Sequence, residues 1–292
     1  MLHLILIHTI LFLSHFSVAA PERIVWNKPH WPPYYIAEGP KAGKGHLDQL
    51  LSLIEKQTPD FTFNSVHSEI EQLDYRSNSL ERTCNGAVLR TKEREKKAYL
   101  SAFYLQPPVQ IIMRTSDWKK IFFEAKVISL KQLFESPLRG AFAAGRSYGE
   151  TLDTLINGQQ KNSKISRIPR SQSLSLVSMV DLQRVDYTLE YAEVFRYMQN
   201  EKLLSTPMVS VEVEEQRTPY VVYISCPKNE WGKHVIRMLD KTMQKIAATE
   251  EFRSLTEKWY SSEIKTRYRH DFDDFYKRRS SGEWTTVPSD KK

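Results

Sequence analysis

The sequence is poor in the residues from which metal and nucleotide sites are built. Its 292 residues include only two cysteines and ten glycines. The cysteines have no C-x-x-C partner, and the histidines beyond residue 20 show no paired spacing, which argues against a zinc or iron site. The glycines form neither a P-loop nor a dinucleotide-binding pattern. We therefore expect no cofactor.

Long apolar runs are also missing, except at the N-terminus. Residues 1–20 carry no acidic or basic side chain and end in the small residues Ser17-Val18-Ala19-Ala20. This pattern predicts a signal peptide that is cleaved near the end of the run. A retained membrane anchor is the alternative, but the run is short for a span and is interrupted by polar residues. The mature chain is therefore expected to be exported and soluble.

The charge of the chain is basic but dispersed. Its 42 lysines and arginines exceed its 35 acidic residues, so the net charge is +7. Residues 264–292 hold eight basic and five acidic residues and contribute +3 of this excess. Nucleic-acid binders concentrate their charge in a basic stripe, so we expect no nucleic-acid partner. We expect residues 264–292 to form a charged, loosely ordered tail.

Strand-like and helical segments alternate along the chain. Short apolar runs predict buried strands at 24–26, 61–66, 86–89, 109–114 and 140–144. Leucines at helical spacing in HLDQLLSLIEK predict a helix after the first strand, and a long amphipathic helix is expected at 230–247. Such alternation predicts an α/β protein with largely parallel sheets.

Four motifs occur in an order that resembles a known family. The first strand leads into the aromatic turn WPPYY, and GKGHLDQLL then begins a helix. GAVLRTKER ends in Thr91-x-x-Arg94, and a late segment runs from YVVYISCPKNEW to a Lys-Trp ending. Together these motifs resemble the family 3 solute-binding proteins, the polar amino-acid binders of ABC importers. The resemblance spans residues 24–262 and implies the two-lobed type II periplasmic-binding fold.

The resemblance implies two lobes joined by two crossover strands. The expected division is residues 21–113 and 208–263 for lobe 1, 114–207 for lobe 2, and 264–292 for the charged tail. In this fold the return strand lies antiparallel to the third strand of lobe 1, which places Cys84 beside Cys226. A disulfide between them would stabilise the protein by roughly 4 kcal/mol. Two buried free thiols are the alternative.

The resemblance also implies a ligand site between the lobes. Arg94 matches the carboxylate-binding arginine of the family, although it also fits a surface charge in the run KEREKK. Trp31 matches the aromatic residue that stacks on the ligand, with core packing as the alternative. The turn 145–149 is expected to aim helix N-terminal amides at an anion. The expected ligand-binding residues are Trp31, Tyr34, Ala87, Leu89, Arg94, Arg146, Ser147, Tyr148, Glu190 and Tyr191.

Departures from the family pattern weaken the case for an ordinary α-amino acid as ligand. Tyr191 occupies the position of the family's ammonium-binding aspartate, and Ala87 and Leu89 replace hydroxyl-bearing residues. Glu190 can substitute for the aspartate only if it faces the cleft, which strand alternation disfavours. The expected ligand is a small carboxylate-bearing or aromatic solute. The resemblance implies a monomeric, non-enzymatic periplasmic protein whose partner is a membrane permease or a sensor.

Two enzymatic alternatives remain open. The segment GRSYG at 145–149 matches the G-x-S-x-G pattern of α/β-hydrolases, with Ser147 as nucleophile and His234 or His270 as base. Some periplasmic dehydratases resemble these binders, and such an enzyme would use Glu190 or Asp186 as its acid or base.

Overall fold

The computed structural model describes residues 22–67, 82–169 and 173–283, so the predicted signal peptide lies outside the described residues. The strands are β1 (Glu22–Lys28), β2 (Phe61–His67), β3 (Thr83–Leu89), β4 (Ala98–Gln106), β5 (Gln110–Arg114), β6 (Val127–Ile128), β7 (Gly140–Ala143), β8 (Ile165–Ile168), β9 (Tyr187–Glu190), β10 (Met208–Val213) and β11 (Tyr220–Pro227). The helices are α1 (His46–Lys56), α2 (Lys92–Lys97), α3 (Thr115–Phe122), α4 (Leu130–Glu135), α5 (Glu150–Asn157), α6 (Ser173–Asp181), α7 (Ala192–Asn200), α8 (Glu230–Ile246), α9 (Glu250–Glu257), α10 (Ser262–Arg267) and α11 (Arg269–Ser280). In these three stretches no helix combines the length and the apolar character that a membrane crossing requires.

Two sheets flanked by helices form the two lobes. The strand order is β2-β1-β3-β11-β4 in lobe 1 and β6-β10-β5-β9-β7-β8 in lobe 2. All antiparallel pairs among the described strands include either β5 or β11. These two strands follow directly after the chain has crossed between the sheets, at 107–109 and again at 214–219. The predicted two-lobed α/β fold is therefore present.

The lobes divide at different residues from those predicted. The expected boundaries at 113/114 and 207/208 fall inside lobe 2, because β5 and β10 pair with each other and also with β9 and β6 of the lobe 2 sheet. The crossing begins instead at Pro107 and Pro108, directly after β4. Proline lacks the N–H group that a sheet ladder needs, so it ends a strand.

A disulfide links two neighbouring strands of lobe 1. Strand β11 runs antiparallel to β3, with Ser225 opposite Asn85. This register brings the Cα atoms of Cys84 and Cys226 to 4.4 Å, and the two cysteines are bonded and fully buried. The predicted pairing is confirmed, and the alternative of two free thiols is wrong.

The C-terminal segment is helical, and the prediction of a loosely ordered tail is wrong for residues 264–283. Phe272, Phe275 and Tyr276 on α11 are buried, and Arg279 one turn further is fully buried as well. This spacing of three, four and seven residues places the four side chains on one helix face. The face packs on β4 and α8 of lobe 1. Residues 284–292 lie outside the described residues.

Candidate ligand-binding cleft

Two adjoining cavities lie between the lobes. The larger has a volume of about 260 Å³ and is bounded by Arg94 and Lys97 of lobe 1 and by Arg146 of lobe 2. The smaller, of about 50 Å³, lies beside Trp31 and Tyr191. Both cavities are also lined by Arg94 and Arg146, so we treat them as one site and call it the cleft.

The wall of lobe 1 holds Arg94 in place through local hydrogen bonds. The hydroxyl of Thr91 accepts a bond from the Arg94 backbone at 3.2 Å and thereby caps α2. The Arg94 guanidinium donates to the Leu89 carbonyl at the end of β3, at 2.8 Å. Arg94 is half-buried and lines the cleft, whereas Lys92 and Lys96 in the same run are exposed. The location therefore favours the ligand-binding interpretation over a solvated surface charge.

The WPPYY turn presents Trp31 to the cleft and buries its tyrosines. The backbone N–H of Trp31 donates to the Tyr35 carbonyl at 2.9 Å, and the Trp31 carbonyl accepts bonds from the Tyr34 and Tyr35 backbones. Trp31 is half-buried at the edge of the cleft, but Tyr34 and Tyr35 are 1% and 2% exposed. Tyr34 therefore lies in the core beneath the cleft rather than in its lining.

In lobe 2, the turn after β7 depends on two glycines. Gly145 and Gly149 have φ values of +76° and +98°, which other residues rarely adopt. The hydroxyl of Ser147 donates to Asp153 at 2.5 Å, and the Tyr148 N–H donates to the same carboxylate at 2.7 Å. The expectation that this turn aims its amides at an external anion is wrong for Tyr148, because Asp153 of α5 is the anion that it binds.

The guanidinium of Arg146 lies among aromatic rings and pairs with Glu190. Its Nη1 and Nη2 atoms donate to the two carboxylate oxygens at 2.7 and 2.8 Å, and both side chains are buried. Its Cζ atom lies 5.1 Å from the ring centre of Trp31, 4.9 Å from that of Tyr148 and 5.2 Å from that of Tyr191. Glu190 therefore points to the cleft side, contrary to the orientation that strand alternation favours, but Arg146 neutralises it.

The electrostatics of this group keep Arg146 charged. Burial alone would lower the pKa of Arg146, but the adjacent Glu190 carboxylate raises it above its ordinary value. Burial raises the pKa of Tyr191 to about 12, although the Arg146 charge opposes that shift. At neutral pH the cleft therefore contains a charged arginine and neutral phenols.

The candidate hydrolase residues do not come together. Ser147 bonds to Asp153, and Gly149 donates to its hydroxyl at 3.2 Å. The side chain of His234 is 65% exposed and lies 3.7 Å from Glu22 of β1. His270 is on α11, which packs on β4 and α8 of lobe 1. Neither histidine is placed to take a proton from Ser147, so the serine-nucleophile hypothesis has no geometric support.

Asp186 is likewise unsuited to acid–base chemistry. It pairs with Arg114 at 2.5 Å and with Arg139 at 3.1 Å, and its second oxygen accepts the Arg139 backbone N–H at 2.7 Å. Burial opposes ionisation, but these arginine contacts lower the pKa of Asp186 to about 2. Asp186 therefore links the ends of the central strands β5, β9 and β7 of the lobe 2 sheet, and it is not part of the cleft lining.

Of the ten predicted ligand-binding residues, seven line the cleft and three lie beneath it. Those in the lining are Trp31, Ala87, Leu89, Arg94, Arg146, Ser147 and Tyr191. Tyr34, Tyr148 and Glu190 form the layer below. Lys97 and Arg167 were missed; both line the larger cavity. Arg167 reaches the site only through the pairing of β8 with Phe142 of β7, which no local sequence signal reveals.

Sequence reasoning also missed a buried carboxylate between the lobes. Glu193 of α7 is 3% exposed, and its Oε2 accepts bonds from the Tyr34 hydroxyl and the Gln106 side chain, each at 3.3 Å. Burial raises the pKa of Glu193 from 4.5 to about 7, against smaller opposing effects from Arg196 and these two hydrogen bonds. Glu193 therefore titrates near neutral pH at the point where lobe 2 meets the first crossing.

Replacing Glu193 with glutamine is expected to stabilise the protein at pH 8 but not at pH 4. Because the folded-state pKa exceeds the unfolded value, the stability associated with the protonated form is complete below pH 4.5. It is lost as the pH rises through 7. A neutral amide avoids that loss, so the free energy of unfolding should rise by about 3 kcal/mol at pH 8. Urea unfolding at both pH values measures the difference.

Glu201, just beyond the same helix, provides the control for this comparison. Its side chain is 33% exposed and pairs with Lys41, so Glu201→Gln should change stability by less than about 1 kcal/mol at either pH. Burial lowers the pKa of His46 to about 3, so this residue destabilises the folded protein in acid. The effect is the same in wild type and variant and therefore does not change the difference between their free energies of unfolding. Equal effects of Glu193→Gln at pH 4 and pH 8 would contradict the prediction.

A larger cavity of about 400 Å³ lies behind the crossing segments, near Pro107 and Pro108. Its charged lining is largely paired internally, since Glu212 contacts both Arg217 and Arg267. It also lacks the aromatic group that surrounds Arg146. Size alone therefore does not make it the better site.

Within residues 22–67, 82–169 and 173–283, no three His, Cys, Asp or Glu side chains converge as a metal site requires.

Comparison with known proteins identifies the fold. No protein-family model and no curated protein sequence matches the chain. Among solved structures it is similar to the amino acid ABC transporter substrate-binding protein AbpA from Streptococcus pneumoniae, bound to L-arginine. The identity is 17%, the match covers 82% of this chain and 94% of that one, and the TM-score is 0.63.

Two further solved structures, one of them a sensor domain, have the same architecture. A histidine kinase sensor domain with similarity to periplasmic binding proteins is 12% identical, with 82% and 96% of the two chains covered and a TM-score of 0.66. The VFT2 domain of BvgS from Bordetella pertussis is 15% identical, with 81% and 93% covered and a TM-score of 0.61. The chain therefore has the two-lobed fold of these structures, which include an amino acid ABC transporter substrate-binding protein and a histidine kinase sensor domain.

Proposed function

We propose that this protein binds a small carboxylate-bearing solute in the cleft between its lobes. The observation that carries the proposal is the position of Arg94, a half-buried arginine whose guanidinium is held at the edge of an interlobe cavity. Arginine binds carboxylates through two parallel, charge-assisted hydrogen bonds. A solute that contacts both lobes would favour their association by the difference between its affinities for the closed and open forms.

The solute is proposed to be delivered to a membrane partner. Structures with this fold include both an ABC-transporter protein and a histidine kinase sensor domain, so uptake and signalling are both consistent with it. The protein is proposed to act as an exported monomer after removal of residues 1–20, and as a binder rather than an enzyme. The pairing of Glu190 with Arg146 and of Asp186 with two arginines supports that view, because neither carboxylate is available as a general base.

Arg94→Ala is expected to weaken solute binding by about 10- to 100-fold. The estimate corresponds to the loss of a hydrogen bond between charged groups, about 1.5–3 kcal/mol. The measurement is a thermal-shift screen of the purified mature protein against carboxylic acids, followed by titration calorimetry. A bound solute stabilises the protein by about 2.7 kcal/mol at a hundredfold excess over its Kd, so a match should raise the melting temperature visibly.

Arg90→Ala is the matched control. Arg90 lies four residues away, is 51% exposed, and pairs with Glu95 rather than with the cleft. This variant should bind the solute as the wild type does. If Arg94→Ala also binds like wild type, Arg94 is not the carboxylate ligand. If no solute shifts the wild type, the proposed binding function is wrong.

A further inference from the structure

The group around Arg146 is a complete cation site. Trp31 and Tyr191 contribute two aromatic faces, Tyr148 contributes a third, and Glu190 contributes a fully buried carboxylate. Aromatic faces attract cations electrostatically, and the attraction increases when the cation is desolvated. A buried carboxylate adds a pair of charge-assisted hydrogen bonds. Rings from both lobes take part, since Trp31 belongs to lobe 1 and the other three residues belong to lobe 2.

The occupant of this site belongs to the chain itself. The Arg146 guanidinium uses both terminal nitrogens on Glu190 and lies within 5.2 Å of all three ring centres. It lies at the boundary between the two cavities of the cleft, so it stands where one end of a bound solute would approach Trp31 and Tyr191. A second cation there would find the Glu190 carboxylate already paired and the three ring faces already occupied by the Arg146 guanidinium.

The remaining lining of the cleft is positive. Arg94, Lys97 and Arg167 line the larger cavity together with Arg146. The acidic residues of that lining have partners within the chain, because Glu93 pairs with Lys96 at 2.6 Å and Asp153 accepts two hydrogen bonds from its own turn. Basic side chains therefore outnumber acidic ones in the lining of the larger cavity by four to two, which favours an anionic solute.

We propose that Arg146 is a tethered cation that occupies the cation subsite of the cleft and thereby determines specificity. The solute is then an anion that lacks an ammonium or guanidinium group. The protein rejects free amino acids because each of them carries an ammonium group. This inference rests on the proposed solute-binding function for the class of solute. The occupation of the aromatic cage by Arg146 stands on the geometry and is tested separately.

Removing the tethered guanidinium should create a site for a free one. We expect methylguanidinium to raise the melting temperature of Arg146→Ala by about 5 °C at a hundredfold excess over its Kd, saturably, and to leave the wild type unchanged. Adding Glu190→Gln to the variant should weaken this rescue at least tenfold. Arg139→Ala is the matched control: Arg139 pairs with Asp186 in the same lobe but is 52% exposed, so no enclosed site is left behind.

The wild type provides a second measurement that does not depend on the folding of any variant. It is titrated with pairs of carboxylates that differ by an ammonium group, such as succinate and aspartate, or 2-oxoglutarate and glutamate. We expect at least tenfold tighter binding of the member without the ammonium group. Equal or tighter binding of the amino acid would overturn the inference while leaving the binding function intact.

The remaining outcomes separate the two proposals. If Arg146→Ala folds and binds carboxylates but methylguanidinium has no effect beyond that on Arg139→Ala, the tethered-cation inference is wrong and the binding function stands. If methylguanidinium rescues the variant but no carboxylate or amino acid binds the wild type, the binding function is wrong. The role of Arg146 as occupant of the cage is then supported on its own.

Discussion

Removal of the Cys84–Cys226 disulfide is expected to lower the free energy of unfolding by about 4 kcal/mol. The bridge joins residues that are 142 positions apart, and cross-linking so long a loop restricts mainly the unfolded chain. Both cysteines are fully buried, so alanine is the replacement that introduces no polar group into the core. Urea unfolding of the variant Cys84→Ala with Cys226→Ala, compared with the oxidised wild type, measures the loss.

Reduction of the wild type gives an independent form of the same experiment. Dithiothreitol should lower the unfolding midpoint of the wild type and leave that of the double alanine variant unchanged, since the variant has no sulfur to reduce. Unfolding midpoints that agree between the oxidised wild type and the double variant would show that the bridge does not stabilise the fold.

The disulfide also shows what the sequence could predict. The pairing of Cys84 with Cys226 followed from the order of motifs, because that order implied which strands lie side by side. The same order implied the two lobes and placed Arg94 and Trp31 at the cleft. These features depend on topology, which the resemblance to the family 3 solute-binding proteins implied; the alternation of apolar runs and helices by itself predicted only an α/β protein.

The lobe boundaries could not be located in the same way. Strands β5 and β10 could belong to either sheet by their sequence, and the pairing of β5 with β9 and of β10 with β6 assigns them to lobe 2. The local signal that could have placed the crossing was Pro107-Pro108, since two successive residues without an N–H group cannot continue a sheet ladder. The resemblance placed the first boundary several residues too late and the second several residues too early.

The pairing within the cleft depends on tertiary structure alone. Arg146 and Glu190 were both predicted to be near the ligand, but no sequence pattern indicates that they bind each other. Their separation is 44 residues, and the contact arises because β7 and β9 are neighbours in the sheet. Glu193 escaped notice for a similar reason, because its partners Tyr34 and Gln106 come from the other lobe.

The C-terminal segment shows how composition can mislead. Its high charge suggested loose order, yet Phe272, Phe275, Tyr276 and Arg279 follow a helical period that was visible in the sequence. The arginine completes that face because it is buried as well. Its side chain is 0% exposed and lies 2.7 Å from the Asp240 carboxylate. A charged residue on the apolar face of a helix is therefore compatible with the core when the core supplies its partner.

Arg279→Met is expected to lower the free energy of unfolding by about 3–5 kcal/mol. The guanidinium donates to the Ala102 carbonyl at 2.7 Å, to the Ser101 hydroxyl at 2.9 Å and to the Asp240 carboxylate. Methionine fills similar space but leaves Asp240 buried without its counter-charge, which is the main source of the loss. Arg278→Met is the control, since Arg278 is 41% exposed and pairs with Asp274 and Glu283, so it should cost less than about 1 kcal/mol.

The source of that loss can be separated from the loss of packing. Adding Asp240→Asn to Arg279→Met removes the uncompensated charge while keeping a side chain of the same shape for Ser101 and Gln244 to contact. The double variant should therefore be more stable than Arg279→Met alone, although Asp240→Asn by itself destabilises the wild type. If the losses of unfolding free energy measured for Arg279→Met and for Asp240→Asn simply add in the double variant, the ion pair does not couple α11 to lobe 1. Burial of Phe272, Phe275 and Tyr276 would then be the main contribution that holds the helix.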